Sequence, residues 1–469
     1  MKRISLIIIG FLVISGLMAQ EVMTPQLLWK LGRMSVVGIT KDGRSIVYDV
    51  RTYDAAANTG STKQYLIPVT DGKPVEIKGG ESLVSDRHIS PTGRHRISIE
   101  EVKIEKVFGV DYYPELDKSK VMIYDDLMYR HWDTWEDGKF SHIFFHTGNE
   151  VKGKDIMAGE SFDCPQTPFG GEEDYTWSPD GKKVVYVAKK KSGKAYTLST
   201  NTDIYAHDIE SGKTANLTEG MMGYDTNPLF SSNGTLAWLS MKRDGYEADK
   251  NDLIVRKGNI RQNLTQHWDG TVNSFLWKKD GSGLYFNAPV DGTVQLFEVD
   301  YPGKTKKMPV VKQITLGDFD VKGLVGISGD KMIVTRTDMN HAAELYSINL
   351  SDGSMSQITH VNDAHYNKIK LSKIERRYVK TTDNKQMLVW VIFPPEFDAS
   401  KKYPTLLYCQ GGPQSALSQF YSFRWNFQIM AAQGYIVVAP NRRGMPGHGV
   451  EWNEAISKDY GGQAMDDYL

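Results

Sequence analysis

Cysteine is nearly absent from this 469-residue chain: only Cys164 and Cys409 occur. They stand far apart, so the fold does not rest on disulfides, and neither has the histidine or basic surroundings of a reactive thiol. Cys409 closes an apolar strand and is expected to be buried. Charge of one sign is also lacking. Fifty-six basic residues against 57 acidic ones leave a net charge of −1, which removes any electrostatic case for nucleic acid or an anionic membrane surface. Long apolar runs are missing except at the start. There Lys2 and Arg3 precede the apolar run Leu6–Leu17, and Ala19 offers a small residue for cleavage. Residues 1–19 therefore read as a secretory signal, too short to span a bilayer well. The mature chain is expected to be exported, periplasmic or secreted, with no stable membrane insertion. A homodimer is left open.

What the chain does have is length for two domains and an aromatic content, with 24 Tyr and 10 Trp, that suits β-structure. From about residue 35 to 360 one pattern recurs: a few apolar residues, an Asp-Gly or equivalent turn, then a β-branched strand. Examples are Tyr175–Tyr186, Leu229–Trp238 and Phe275–Tyr285. The turn glycines Gly43, Gly93, Gly181, Gly234, Gly281 and Gly329 are spaced by 50, 88, 53, 47 and 48 residues. Leu217-Thr218, Leu264-Thr265, Ile314-Thr315 and Ile358-Thr359 recur in phase with them. A period near 48 with several strands per copy predicts a β-propeller over residues 24–380. The 88-residue gap holds one blade plus an insertion containing Asp125–Trp135. Six repeats are clear, and segments near 24–34 and 365–380 would close a seventh, giving about seven blades.

After residue 380 strands alternate with helices, as in an α/β sheet. A buried strand leads into Gln410-Gly411-Gly412-Pro413, a helix follows over 423–433, and Tyr435–Ala439 leads into Asn441-Arg442-Arg443-Gly444. Glycines after a buried strand free backbone amides to point into a site. Read alone, the loop is equally a tight turn.

The propeller pattern followed by Tyr-Pro-x-Leu-Leu, Gly-Gly-Pro and Gly-Tyr-x-Val-Val-x-Pro-Asn-x-Arg-Gly resembles the prolyl oligopeptidase family (S9) of serine peptidases. The Tyr129–Asp133 insertion and the Gln410–Gln414 loop look like its bacterial dipeptidyl-peptidase 5 branch. The resemblance implies the N-terminal part of an α/β-hydrolase domain over 381–469. It also implies a Ser-His-Asp peptidase cleaving short peptides and releasing N-terminal dipeptides, with no metal or organic cofactor. Gln410, Gly411 and Gly412 would then form the oxyanion-hole loop. Where relatives of dipeptidyl-peptidase 4 carry an oxyanion tyrosine, this chain has Gln410, so the backbone is the expected donor. No Gly-x-Ser-x-Gly occurs, and the family's serine, aspartate and histidine would fall beyond the position matching Leu469. The expectation is of a fragment that is itself inactive. The rival readings are a non-catalytic periplasmic propeller that binds peptides or partner proteins, and another α/β-hydrolase such as an esterase.

Four further residues are candidates for substrate binding. Glu172 and Glu173 would hold a peptide amine as a propeller glutamate pair does in dipeptidyl-peptidase 4, although a solvated turn explains them more simply. Arg130 and Trp132 either line the cavity or pack the insertion. His142 and His146 share a strand face but have no third ligand, so no metal site is expected. Asp244–Asp249 has calcium-loop flavour with the wrong spacing, and reads as a hairpin turn.

Overall fold

The computed structural model describes residues 21–70, 72–305 and 308–469; the expected signal at 1–19 lies outside them. Six antiparallel sheets follow one another along the chain. The first spans Arg33–Ile39, Ser45–Asp54, Thr59–Pro68 and Val75–Ile77. The second has His95–Lys103, Lys139–Thr147 and Lys154–Asp155, and residues 104–138 leave it as the expected insertion. The remaining four begin at Tyr175, Asp225, Ser274 and Asp320, and the last two touch through one parallel pair, Val294 with Asp320.

The repeat has a physical cause at both of its marks. All six turn glycines have φ between 59° and 79°, where a β-carbon is strained. The four recurring threonines are buried clasps. The Thr218 hydroxyl accepts from the Ile204 amide at 3.0 Å and donates to Asp203 at 2.9 Å. Thr265 does the same between Leu253 and Asp252, Thr315 between Leu296 and Gln295, and Thr359 between Leu345 and Glu344. Each clasp fastens the chain beyond an outer strand to the strand before it. Without the hydroxyl, a buried amide would lose its partner.

Apolar residues fill the space between neighbouring sheets. Ala237, Leu253, Phe275 and Phe286 join the fourth to the fifth. Ile46, Tyr48 and Ile67 meet Ile333, Leu345 and Ile358, so the sixth sheet packs on the first. This contact brings the two ends of the succession together, and the segments expected to form a seventh unit are placed otherwise. Residues Pro25–Lys30 form a helix capped by Thr24, and Ile369–Lys370 pairs in parallel with Glu21–Val22. The strand Ile374–Lys380, expected in the propeller, forms a hairpin with Gln386–Ile392. Asn384 supplies the turn's positive φ of 69°. Five intervening residues cost far less closure entropy than returning to the start of the ring.

That hairpin opens a four-stranded sheet ordered 374–380, 386–392, 436–440, 405–407. Thr405–Leu407 and Ile436–Pro440 are parallel and connected through the helix Phe427–Ala432, as a parallel pair requires. Trp390 is fully buried on this sheet and donates to the Leu417 carbonyl at 3.1 Å. Cys409 is exposed, against expectation, because the strand before it lies at the end of the described sheet.

The two parts meet through an apolar cluster, where Met339 packs with Trp390 and Leu417, and through polar contacts. Arg376 pairs with Asp291 and, at 2.7 Å, with Asp318; the Tyr378 hydroxyl donates to Asp291 at 2.6 Å. Buried Asp320 accepts from the Ser418 hydroxyl at 2.6 Å and from the Val294 and Gln419 amides. Burial outweighs these bonds and pushes its carboxyl up to about 7. A carboxyl raised in the folded state holds a proton that the unfolded chain has lost. Its stabilising contribution is therefore present below the ordinary pKa of 3.8 and declines as pH rises toward about 7. An asparagine can accept from both amides and donate to Ser418, mimicking the protonated acid. Asp320→Asn should thus melt close to wild type at pH 5 and above it at pH 8. Thermal melts across that range check this, and an advantage that shrinks with rising pH would refute it.

Candidate functional site

The two motifs singled out after residue 380 come together around buried arginines. The strand Ile436–Pro440 ends at Asn441, Arg442 and Arg443, and all three are buried. Asn441 fixes Leu417 in both directions, accepting its amide at 3.2 Å and donating to its carbonyl at 3.0 Å. Arg442 reaches back to the glycine loop. Its Nη2 donates to the carbonyls of Gln410 and Pro413, each at 3.0 Å. Its Nη1 donates to the Arg443 carbonyl, and its Nε to the Tyr468 hydroxyl at 3.2 Å. No carboxylate pairs with it among the described residues. Arg443 takes the other direction. It pairs with Asp467 at 3.3 Å and Asp383 at 2.7 Å, and lies over the Trp452 ring.

The consequence falls on Gln410–Pro413. Its first and last carbonyls, of Gln410 and Pro413, are held by Arg442, whereas the Gly411 and Gly412 amides donate to no described protein group. Both glycines are exposed. A β-carbon at Gly411 would meet nothing within 4 Å. At Gly412, φ is +131° and a β-carbon would lie 2.8 Å from that of Ser415. Gly412 is therefore the position that requires glycine, and Gly411 borders open space. The Gln410 amide makes one long contact with Ser415, at 3.4 Å. Two unpaired amides on a braced turn can hold an oxyanion.

The propeller reaches the same loop. Gln414 donates to the Tyr246 hydroxyl at 3.0 Å, and Tyr246 meets Ser457 at 2.5 Å. Asn453 donates to the Ala248 carbonyl at 3.1 Å, and Arg243 pairs with Glu454. The segment with calcium-loop flavour is thus a contact between the two parts. Its Asp244 carboxylate is taken by Ser199, Thr200 and Asn201, and Asp249 by Arg243.

The other candidates lie elsewhere. Glu172 and Glu173 are exposed in a short 3-10 turn, Glu172–Asp174. Arg130 stacks on Trp135 within a two-residue hairpin, and exposed Trp132 packs edge-on against His131 and Phe169. No hydrogen bond or ion pair among the described residues joins these four to the Gln410 loop. His142 is held by Asp155 and the Glu160 carbonyl, and His146 by Ser98 and the Glu150 carbonyl, so both imidazoles serve the sheet. Sequence reasoning used Arg442 only as part of a family pattern. Its signal was local: paired arginines directly after a buried strand need partners, and glycine-loop carbonyls are available ones. Tyr246 had no such signal, since its partners are distant in the chain.

Comparison with known proteins agrees with this architecture. Residues 246–387 match the dipeptidyl peptidase IV N-terminal region, and residues 421–469 match the prolyl oligopeptidase family. The chain is 38% identical to dipeptidyl-peptidase 5 of Porphyromonas gingivalis, over 97% of its own length and 73% of that protein. It is 37% identical to dipeptidyl-peptidase 5 of Porphyromonas endodontalis, over 96% and 71%. An acylaminoacyl peptidase structure from Pyrococcus horikoshii superposes with a TM-score of 0.72 at 16% identity, covering 96% of this chain and 71% of that one. The chain belongs to the prolyl oligopeptidase (S9) family of serine peptidases.

If Arg442 orders the glycine loop, Arg442→Met should raise amide exchange over 409–415 by at least about tenfold, one charge-assisted bond's worth. Arg442→Lys should fall between, because a point charge replaces a planar fork. Hydrogen exchange read by mass spectrometry checks this, with Lys183–Ala188 as the internal reference. Unchanged exchange in the loop would count against the brace.

Proposed function

We propose that the protein is an exported serine peptidase that removes N-terminal dipeptides from short peptides by acyl transfer. The observation that carries the reading is the Gln410–Pro413 loop: its first and last carbonyls are drawn onto Arg442 and its two glycine amides are left unpaired beside a propeller contact. That arrangement suits a tetrahedral oxyanion, with Gly411 and Gly412 as donors and Gln410 as the start of the turn. The relatives' name, dipeptidyl-peptidase 5, supports release of dipeptides. None of the 469 residues is assigned as the nucleophile. The six sheets act as propeller blades that restrict access to small or unstructured peptides, and the apolar segment at 1–19 supports export to the periplasm or beyond.

The protein, assayed on dipeptidyl coumarin amides, should release coumarin from unblocked substrates and far less from N-acetylated ones. Gly412→Val should lower kcat by about 100- to 1,000-fold with a smaller change in KM, the usual cost of losing one oxyanion donor. Equal cleavage of acetylated substrates would replace the exopeptidase reading. Near-normal kcat in a folded Gly412→Val variant would remove the loop from the oxyanion site.

A further inference from the structure

The insertion at 104–138 is ordered by its own bonds. The amides of Ile104 and Glu105 both donate to the Gly138 carbonyl, and the Asp111 carboxylate accepts from Val107 and Phe108 at 2.9 Å. Between this insertion and the segments 161–167 and 189–196 lies a cavity of about 410 Å³. That volume is at the lower end of the range for small-molecule sites. Val107, Ile123, Tyr124, Phe140, Phe162 and Tyr196 line it. None of the residues considered above for substrate binding does.

Opposite charges also line the cavity without pairing. The Glu136 carboxylate makes no hydrogen bond or ion pair among the described residues. Burial first, then the neighbouring carboxylates of Asp163, Asp137 and Glu105, push its pKa upward. Asp163 is committed to the Ser141 amide at 2.8 Å and the Thr167 hydroxyl at 2.9 Å, so it adds charge without offering a free partner. Lys189 and Lys191 line the same cavity from the segment 189–196, neither in an ion pair among the described residues. The Lys189 ammonium sits 4.0 Å from the Tyr196 ring centre. Burial lowers its pKa first; the Asp244 carboxylate opposes this but is already taken by Ser199, Thr200 and Asn201, and neighbouring Lys191 lowers it further. Of the other lining charges, Asp126 accepts the Leu127 amide, Lys106 lies against the Tyr112 ring, and Glu105 and Asp125 are exposed.

A half-buried carboxylate and half-buried ammonium groups gain from neutralisation, yet no ion pair joins them among the described residues. A ligand carrying an ammonium at one end, a carboxylate at the other and an apolar middle would satisfy both charges and the aromatic lining together. We propose that this cavity binds a short, unblocked peptide as its zwitterion, with the amino terminus at Glu136 and the carboxyl terminus at Lys189 and Lys191. The site is distinct from the Gln410–Pro413 loop. It lies one connection away from it, because residues Ser199–Asn201 beyond the cavity wall bind Asp244, and Tyr246 two residues later touches Gln414.

The test uses the unaltered full chain and three probes: alanyl-phenylalanine, its N-acetyl derivative and its C-terminal amide. In calorimetric titration the free dipeptide should bind, and blocking either end should weaken binding by at least about tenfold, as expected for losing a charge-assisted bond. Because only the peptide changes, this comparison does not depend on a variant folding. Glu136→Gln should then weaken the free dipeptide to the level of the acetylated one. Lys189→Met with Lys191→Met should weaken it to the level of the amide. Equal affinity for all three probes, no binding at millimolar concentration, or full affinity in Glu136→Gln would each overturn the assignment. The oxyanion reading would survive any of these, since it is tested at Gly412.

Discussion

A single buried guanidinium governs the geometry of the candidate site. Arg442 has lost nearly all contact with water and has no carboxylate to neutralise it. A charge so placed is costly unless its donors are satisfied, and here carbonyls and one hydroxyl satisfy them. The carbonyls of Gln410 and Pro413 cannot turn away without leaving that charge unpaired. The Gly411 and Gly412 amides remain uncommitted as a result. Preorganisation of the loop therefore follows from the cost of burying an arginine, and the arginine's position follows from the strand that ends immediately before it.

The propeller answers a different constraint. Each of its sheets has two faces to cover, and the packing of the sixth on the first leaves neither end of the succession bare. The threonine clasps keep outer strands in register from within each sheet. The junction with the C-terminal sheet combines polar contacts at Asp320, Arg376 and the Tyr246 loop with an apolar seam in which Met339 meets Trp390 and Leu417.

Much of this was legible beforehand because its causes are local. Positive φ at Gly181 or Gly234 follows from the turn itself, and the Leu-Thr marks recur because each outer strand needs the same clasp. The family pattern in Gly411-Gly412-Pro413 and Asn441–Gly444 was readable for the same reason. Expectations failed where partners are distant. The segments assigned to a seventh unit became a helix, a short parallel pair and a hairpin strand, since local hairpin formation outcompeted ring closure. Cys409 followed apolar residues and still emerged exposed, because apolarity does not say whether a strand is central or at the end of a sheet.

The sequence by itself determined the repeat, the change from all-β to α/β near residue 380, and the glycine loop that marks the site. These depend on backbone preferences and on neighbours within a few dozen residues. Only the tertiary structure decided that Arg442 would hold the loop, that Tyr246 would reach it from the propeller, and that Glu136, Lys189 and Lys191 would line one cavity without pairing. Those relations join residues that are separated by up to 168 positions in the case of Tyr246 and Gln414. Burial and packing of whole sheets set their distances, and no local pattern encodes that.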